Sequence, residues 1–350
     1  MDFVSLPKVS LHDHLDGGLR PQTVVELAAS QGIELPAQDM VGWFAARAAS
    51  REPLEYLAMF DVTVAVMQTA GALERVAREF VLDLAADGVV YAEIRWAPGL
   101  HLAGGLTLDQ AVDAVSAGIA AGLEEAPELR VGQLLCALRH AHDADAVARL
   151  AVARRDRGVV GVDYAGPEVG NLPTRHRAAF DYLAGELMPV TVHAGQEGDL
   201  DSIRSALLDG RALRIGHGVR VATDIGDDGS LGAVATWIRD RGIALDLCPS
   251  SNVDTGATAP WGNDLASHPF DRLYRLGFAV TVSPDSRLMS ATTLSRELEL
   301  LTETFGYDLD DHLRFQLNAV AAAFLPRDER EALADRILTA FPSADGRPSA

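Results

Sequence analysis

His12 and His14 sit two residues apart, in Leu11-His12-Asp13-His14, at the end of a short apolar run near the N-terminus. Side chains two apart on a strand share a face, so this spacing sets two imidazoles side by side. Two imidazoles at a strand's C-terminal end begin a zinc site, and in a (β/α)8 barrel that end carries the chemistry. A mononuclear site needs more ligands. Two later strand ends supply them, His193 in VTVHAG and Asp285 in VTVSPD.

The elements that must position these groups are legible as apolar runs with helical segments between them. They run from Lys8 to His14, Val89 to Trp96, Arg130 to Leu138, Val159 to Tyr164, Val190 to His193, Leu213 to His217, Ile243 to Cys248 and Phe278 to Ser283. Strands alternating with helices predict a parallel α/β sheet, and the number of runs predicts a single (β/α)8 TIM barrel over residues 1–342. A helical insertion from about 21 to 87 follows the first strand, longer than one connection needs. Because it leaves that strand's C-terminal end, it is placed to act as a lid. Helices follow the last strand, and residues 343–350 read as a frayed tail. Nucleotide-loop patterns of the GxGxxG and P-loop types are absent.

The chain of 350 residues carries 48% hydrophobic and 23% charged residues, a globular composition. Its net charge of −20 argues against a nucleic-acid or anionic-membrane partner and leaves a small-molecule substrate. Two cysteines, Cys136 and Cys248, give no disulfide framework and no CxxC metal pair, and both read as buried thiols. The start MDFVSLPKVS lacks a basic segment followed by an apolar run, so a cytoplasmic location is expected. Oligomeric state is not readable from the sequence.

Polar residues at the ends of the runs converge on one face of a barrel. They are His12, His14 and Asp16 after the first, Gly166 after the fourth, His193 and Gln196 after the fifth, His217 after the sixth and Asp285 after the eighth. His101, His140, His142, His176, His268 and His312 fall in loops or helical stretches and receive no role.

Taken together, LPKVSLHDHLDGGLRP, GVVYAEIRWAP, GVVGVDYAGPE, VTVHAG, LRIGHGVR, LCPSSNVDTGA and VTVSPDSRLMS span nearly the whole chain. In this order they resemble the adenosine deaminase family of zinc aminohydrolases, and FDVTVAVMQTA resembles its bacterial branch. The resemblance implies that His12, His14, His193 and Asp285 hold Zn2+, with one position open for water. The metal would lower the pKa of that water, and in this family the resulting hydroxide adds to C6 of a purine while ammonia leaves. The same resemblance implies that His217 orients the attacking oxygen and that Asp285 helps accept its proton. It gives Asp16 to the ribose and the Gly166 backbone to purine N3, where glycine permits close approach. Deaminases of the cytidine type pair an HxE with PCxxC, which this chain lacks.

Two positions depart from the family pattern. Where the family has HAGE, this chain reads His193, Ala194, Gly195, Gln196. The family's glutamate protonates purine N1, whereas an amide donates a hydrogen bond without delivering a proton. General acid catalysis is typically worth about 10²–10⁴-fold. Glu197 follows directly, but neighbouring side chains in an extended segment point to opposite sides. After the last ligand, Ser286 replaces the residue that the family uses at purine N7. The expected activity is deamination of a purine nucleoside or related aminated heterocycle with altered specificity. The alternatives are an adenosine deaminase with residual activity and a catalytically impaired zinc-binding member that acts as a nucleoside-binding or regulatory protein.

Overall fold

A computed structural model describes residues 1–50 and 53–341, so the expected frayed tail, 343–350, lies outside the described residues. Eight strands are present, β1 (Lys8–His14), β2 (Val89–Trp96), β3 (Arg130–Leu138), β4 (Val159–Ala165), β5 (Val190–Ala194), β6 (Arg214–His217), β7 (Ala244–Leu247) and β8 (Val280–Val282). They pair in chain order, each parallel to the next. A parallel bridge between Asp13 and Asp285 brings the last strand's end back to the first. The result is a (β/α)8 barrel. Strands covered by helices on one side and filled by side chains on the other are buried on both faces and so mostly apolar, which is why the runs were readable.

Among the described residues, four helices lie between β1 and β2, namely α1 (Pro21–Gln31), α2 (Met40–Ser50), α3 (Pro53–Val66) and α4 (Ala70–Ala86). The outer ring continues with α5 (Leu108–Glu125), α6 (Ala144–Ala153), α7 (Arg177–Gly185), α8 (Leu200–Leu208) and α9 (Ala233–Asp240). After β7 come α10 (Pro249–Asp254) and α11 (Phe270–Arg275), and after β8 come α12 (Leu294–Phe305), α13 (Leu309–Ala322) and α14 (Arg327–Ala340). Helix starts follow local chemistry. Thr107 and Gln110 form a capping box on α5, and Asp308 and Asp311 form one on α13. Helices α4 and α5 pack closely because Gly118 and Gly122 face α4, where a Cβ would collide with Glu74 and Val81.

The barrel's interior departs from the usual filling of branched aliphatic side chains. Glu93, Arg95, Asp163, Arg214 and Asp246 all point into it and are fully buried. Arg95 lies 3.1 Å from Asp163, Arg214 Nε lies 2.8 Å from Asp246, and Arg214 also pairs with Glu93. Below them, Glu93 Oε1 accepts the Phe324 N–H at 2.6 Å, and Arg214 donates to the Ala322 carbonyl at 3.0 Å. Thus the segment after α13 closes the bottom of the barrel by bonding to its charged filling. Such groups stabilise only while each keeps its partner, since removing one member of a buried pair costs about 3–5 kcal/mol.

Candidate metal centre

Both β1 histidines face the barrel's mouth, and the chain after β8 brings a carboxylate to them through backbone pairing. Asp285 N–H donates to the His12 carbonyl at 3.0 Å, and His14 N–H donates to the Asp285 carbonyl at 2.7 Å. One bridge therefore sets His12, His14 and Asp285 in register. It holds Asp285 at φ 63°, a left-handed conformation that aspartate tolerates better than most residues. His217 ends β6 at φ 64°. Local strain at both positions is held by the surrounding sheet, as is common at functional sites.

Side chains of His12, His14, His193 and Asp285 each offer one donor atom, all within 4.8 Å of one another. His14 Nε2 is 3.2 Å from His193 Nε2, and Asp285 Oδ1 is 3.3 Å from Nε2 of both His12 and His14. A tetrahedral site with bonds of about 2.1 Å has edges of about 3.4 Å, so these separations suit a zinc-sized ion. Nδ1 and Nε2 of His12 are buried without a hydrogen bond of acceptable geometry. The donor set fits a metal. A second grouping, His12, His217, Cys248 and Asp285, shares two of these residues. Both cysteines are free and buried.

Electrostatics favour neutral imidazoles beside an ionised carboxylate. Burial, helped by Arg95, holds His12 well below the usual histidine range, and burial lowers His14 to about 3. Burial alone would raise Asp285, but His12 and its neighbours outweigh that and hold the carboxyl well below the usual range. Asp163 behaves alike, burial being outweighed by His193 and Arg95. Asp163 lies 3.0 Å from His193 Nδ1. A carboxylate there accepts the Nδ1 proton and frees the Nε2 lone pair for a metal.

Further partners line the mouth. Ser251 Oγ donates to Asp285 Oδ2 at 2.5 Å, and His217 Nε2 lies 4.0 Å from the same oxygen. Burial lowers His217 to about 3. Asp16 is buried in the turn after β1, 4.0 Å from His14 Nδ1, and burial raises it to about 6. Ser286 packs on Gly17, whose Cβ position would collide with the serine hydroxyl, so Asp16 and Ser286 lie on adjoining segments. Gly166 takes φ 96° after β4, and a Cβ there would sit 3.2 Å from His140 Nδ1.

Gln196 is half-buried, and its Nε2 donates to Thr255 Oγ1 at 3.2 Å. Thr255 spends its own proton on the Ser251 carbonyl at 2.7 Å, so it can only accept from the amide. Glu197 is exposed, and its carboxylate accepts the Glu168 N–H at 3.0 Å rather than joining Gln196 at Thr255. Glu168 in turn accepts the N–H groups of Gly195, Gln196 and Glu197, pinning the turn after β5.

Sequence reasoning passed over Asp163, Glu168, Ser251, Asn252 and His268. One signal was available for Asp163, since a charge inside an apolar run that is buried on both faces must have a partner. Glu297 on α12 was also missed. It accepts from Ser250 N at 3.0 Å and Thr292 Oγ1 at 2.6 Å, buttressing the segment that carries Ser251. Burial raises its pKa from 4.5 to about 7. The folded state therefore holds this proton more tightly than the unfolded chain. Its contribution is full below about pH 4.5 and lost as pH rises through about 7, amounting to about 3 kcal/mol at most. Glu297→Gln is expected to raise urea stability relative to wild type at pH 8 and not at pH 4.5. Parallel stability curves for the two proteins would refute this account.

Three imidazoles and a carboxylate at the C-terminal mouth of a (β/α)8 barrel define a class, the metal-dependent hydrolases of this fold. The sequence profile of adenosine deaminase matches residues 7–340. An adenosine deaminase of Mycobacteroides abscessus is 52% identical, covering 97% of this chain and 96% of the relative. Among solved structures, adenine deaminase from Arthrobacter aurescens superposes with a TM-score of 0.85 at 25% identity, covering 95% of this chain and 98% of that one. The N6-methyl-AMP deaminase of Arabidopsis thaliana gives 0.81 at 25% identity, over 96% and 97%. The chain belongs to the adenosine deaminase family and is an aminohydrolase acting on a purine-like substrate. Among the described residues, no helix is long and apolar enough to cross a membrane.

Proposed function

We propose that this chain is a zinc-dependent deaminase of a purine nucleoside or close analogue, with base recognition altered at Gln196 and Ser286. The observation that carries the reading is the convergence of Nε2 of His12, His14 and His193 with a carboxylate oxygen of Asp285. Zinc bound there supplies activation of water at neutral pH. His217 orients the attacking oxygen, and Asp285 accepts its proton. Asp16 binds the sugar, the Gly166 backbone approaches the base at N3, and Ser286 lies toward N7. Tyr56 of α3, 3.4 Å from the Ser290 hydroxyl, supports the reading of the insertion as a lid over the mouth.

Adenosine, adenine and N6-methyl-AMP, named for the relatives, share a nitrogen substituent on C6 of the purine. Hydrolysis there adds water oxygen to C6, breaks the exocyclic C–N bond and needs a proton on the ring nitrogen. Gln196 cannot give one. A substrate whose ring is already protonated or more electron-poor suits this site better than adenosine.

Elemental analysis of purified protein, with an ammonia assay over purine and pyrimidine nucleosides and nucleobases, tests the reading. The expected result is one zinc per chain and fastest release from a modified purine. Absence of zinc would overturn the metal assignment. Silence on every compound with zinc bound would favour a non-catalytic nucleoside-binding protein.

A further inference from the structure

We propose that Asn252 and His268 are positioning residues that fix His217 as the tautomer bearing its proton on Nε2. The inference rests on the reading above only for the use to which that proton is put. A backbone N–H can only donate, and one such group sets the order of donors and acceptors.

The Phe270 N–H donates to His268 Nδ1 at 3.0 Å. That nitrogen is therefore the acceptor of the ring. Burial lowers His268 to about 3, so the neutral ring carries one proton, and it sits on Nε2. His268 Nε2 faces an Asn252 side-chain atom at 3.1 Å, which must be the carbonyl oxygen. The Asn252 amide nitrogen then faces His217 Nδ1, 3.0 Å away, and donates to it. His217 Nδ1 is an acceptor, so the proton of its neutral ring lies on Nε2, on the Asp285 side. His217, Asn252 and His268 are all buried, with 1%, 0% and 3% exposure, so water does not compete for these bonds.

The same logic separates His217 from His193. A metal-binding imidazole gives its second nitrogen's proton to an acceptor, as His193 gives Nδ1–H to Asp163. At His217 the corresponding nitrogen meets a donor. The relay therefore makes His217 a poor ligand and a ready hydrogen-bond donor, and it favours the grouping with His14 and His193 over the one with Cys248.

Full-length protein labelled with nitrogen-15 in histidine, metal-free and zinc-loaded, reports the tautomer directly, with His217 assigned from a His217→Asn sample. The expected wild-type pattern is an unprotonated Nδ1 and a protonated Nε2 in both forms. Asn252→Asp has no N–H to give, so the proton should move to Nδ1. Deamination of the purine that wild type turns over fastest should then lose at least about tenfold in kcat with KM changed less than about twofold. His268→Leu should free the amide to turn over and give a mixture of tautomers, and His268→Gln, which keeps a donor, should restore the wild-type pattern. A wild-type proton on Nδ1, or an Nε2 stripped of its proton by zinc, overturns the proposal even if no variant folds. Wild type silent on every nucleoside and nucleobase tested would count against the proposed function while the spectrum still decides the tautomer.

Discussion

Asp285→Asn is expected to reduce zinc retention to a small fraction of one ion per chain and deamination by at least about 10³-fold, the scale of a lost metal activation worth several kcal/mol. The substitution is chosen because asparagine also tolerates φ 63°, leaving the backbone bridge to His12 and His14 intact. Asp285 is the anion that the imidazoles of His12 and His14 share, each 3.3 Å from its Oδ1. Its amide replacement keeps an oxygen and loses the charge. Equilibrium dialysis against zinc and an ammonia assay read the two effects separately. Retention of stoichiometric zinc with normal turnover would remove Asp285 from the site altogether.

Gln196→Glu is expected to raise deamination of adenosine and 2′-deoxyadenosine at least tenfold, a floor set below the roughly 10²–10⁴-fold that a general acid typically supplies. The amide now donates to Thr255 Oγ1, which gives its own proton to Ser251. A carboxyl group in the same place can donate when protonated, or draw the Thr255 proton to itself when ionised, so the local bonding accommodates the change. Steady-state assays of both proteins on both nucleosides decide it. An unchanged rate would mean that position 196 does not limit proton delivery, and the altered-specificity reading would fail with it.

The barrel was legible because its strands are buried on both sides and therefore written mostly in apolar residues, with the charged groups of the interior set singly among them. Boundaries shifted slightly where that rule weakens. Leu213 reads as strand but is 60% exposed and precedes β6, and Phe278 belongs to the approach to β8. The metal-site candidates were legible because ligand chemistry restricts residue type, and strand ends restrict place. What stayed hidden was the next shell outward. Asp163 looked like one residue in VVGVDYAG, and nothing local ties it to His193, 30 positions away. His268 was passed over for the same reason, since its partner Asn252 lies 16 positions away on α10. Side chains that matter only through a neighbour leave no periodic mark in the chain.

The charged filling of the barrel has a bearing on how such a protein can change. From His193 through Asp163, Arg95, Asp246 and Arg214 to Glu93 and the Phe324 amide, each of the five charged members answers to two others. A lineage cannot replace one of them without stranding a charge, so novelty is steered upward to the turns around Gly166, Gln196 and Ser286. There a single codon can alter which heterocycle is welcome while the ionic column beneath stays as it was.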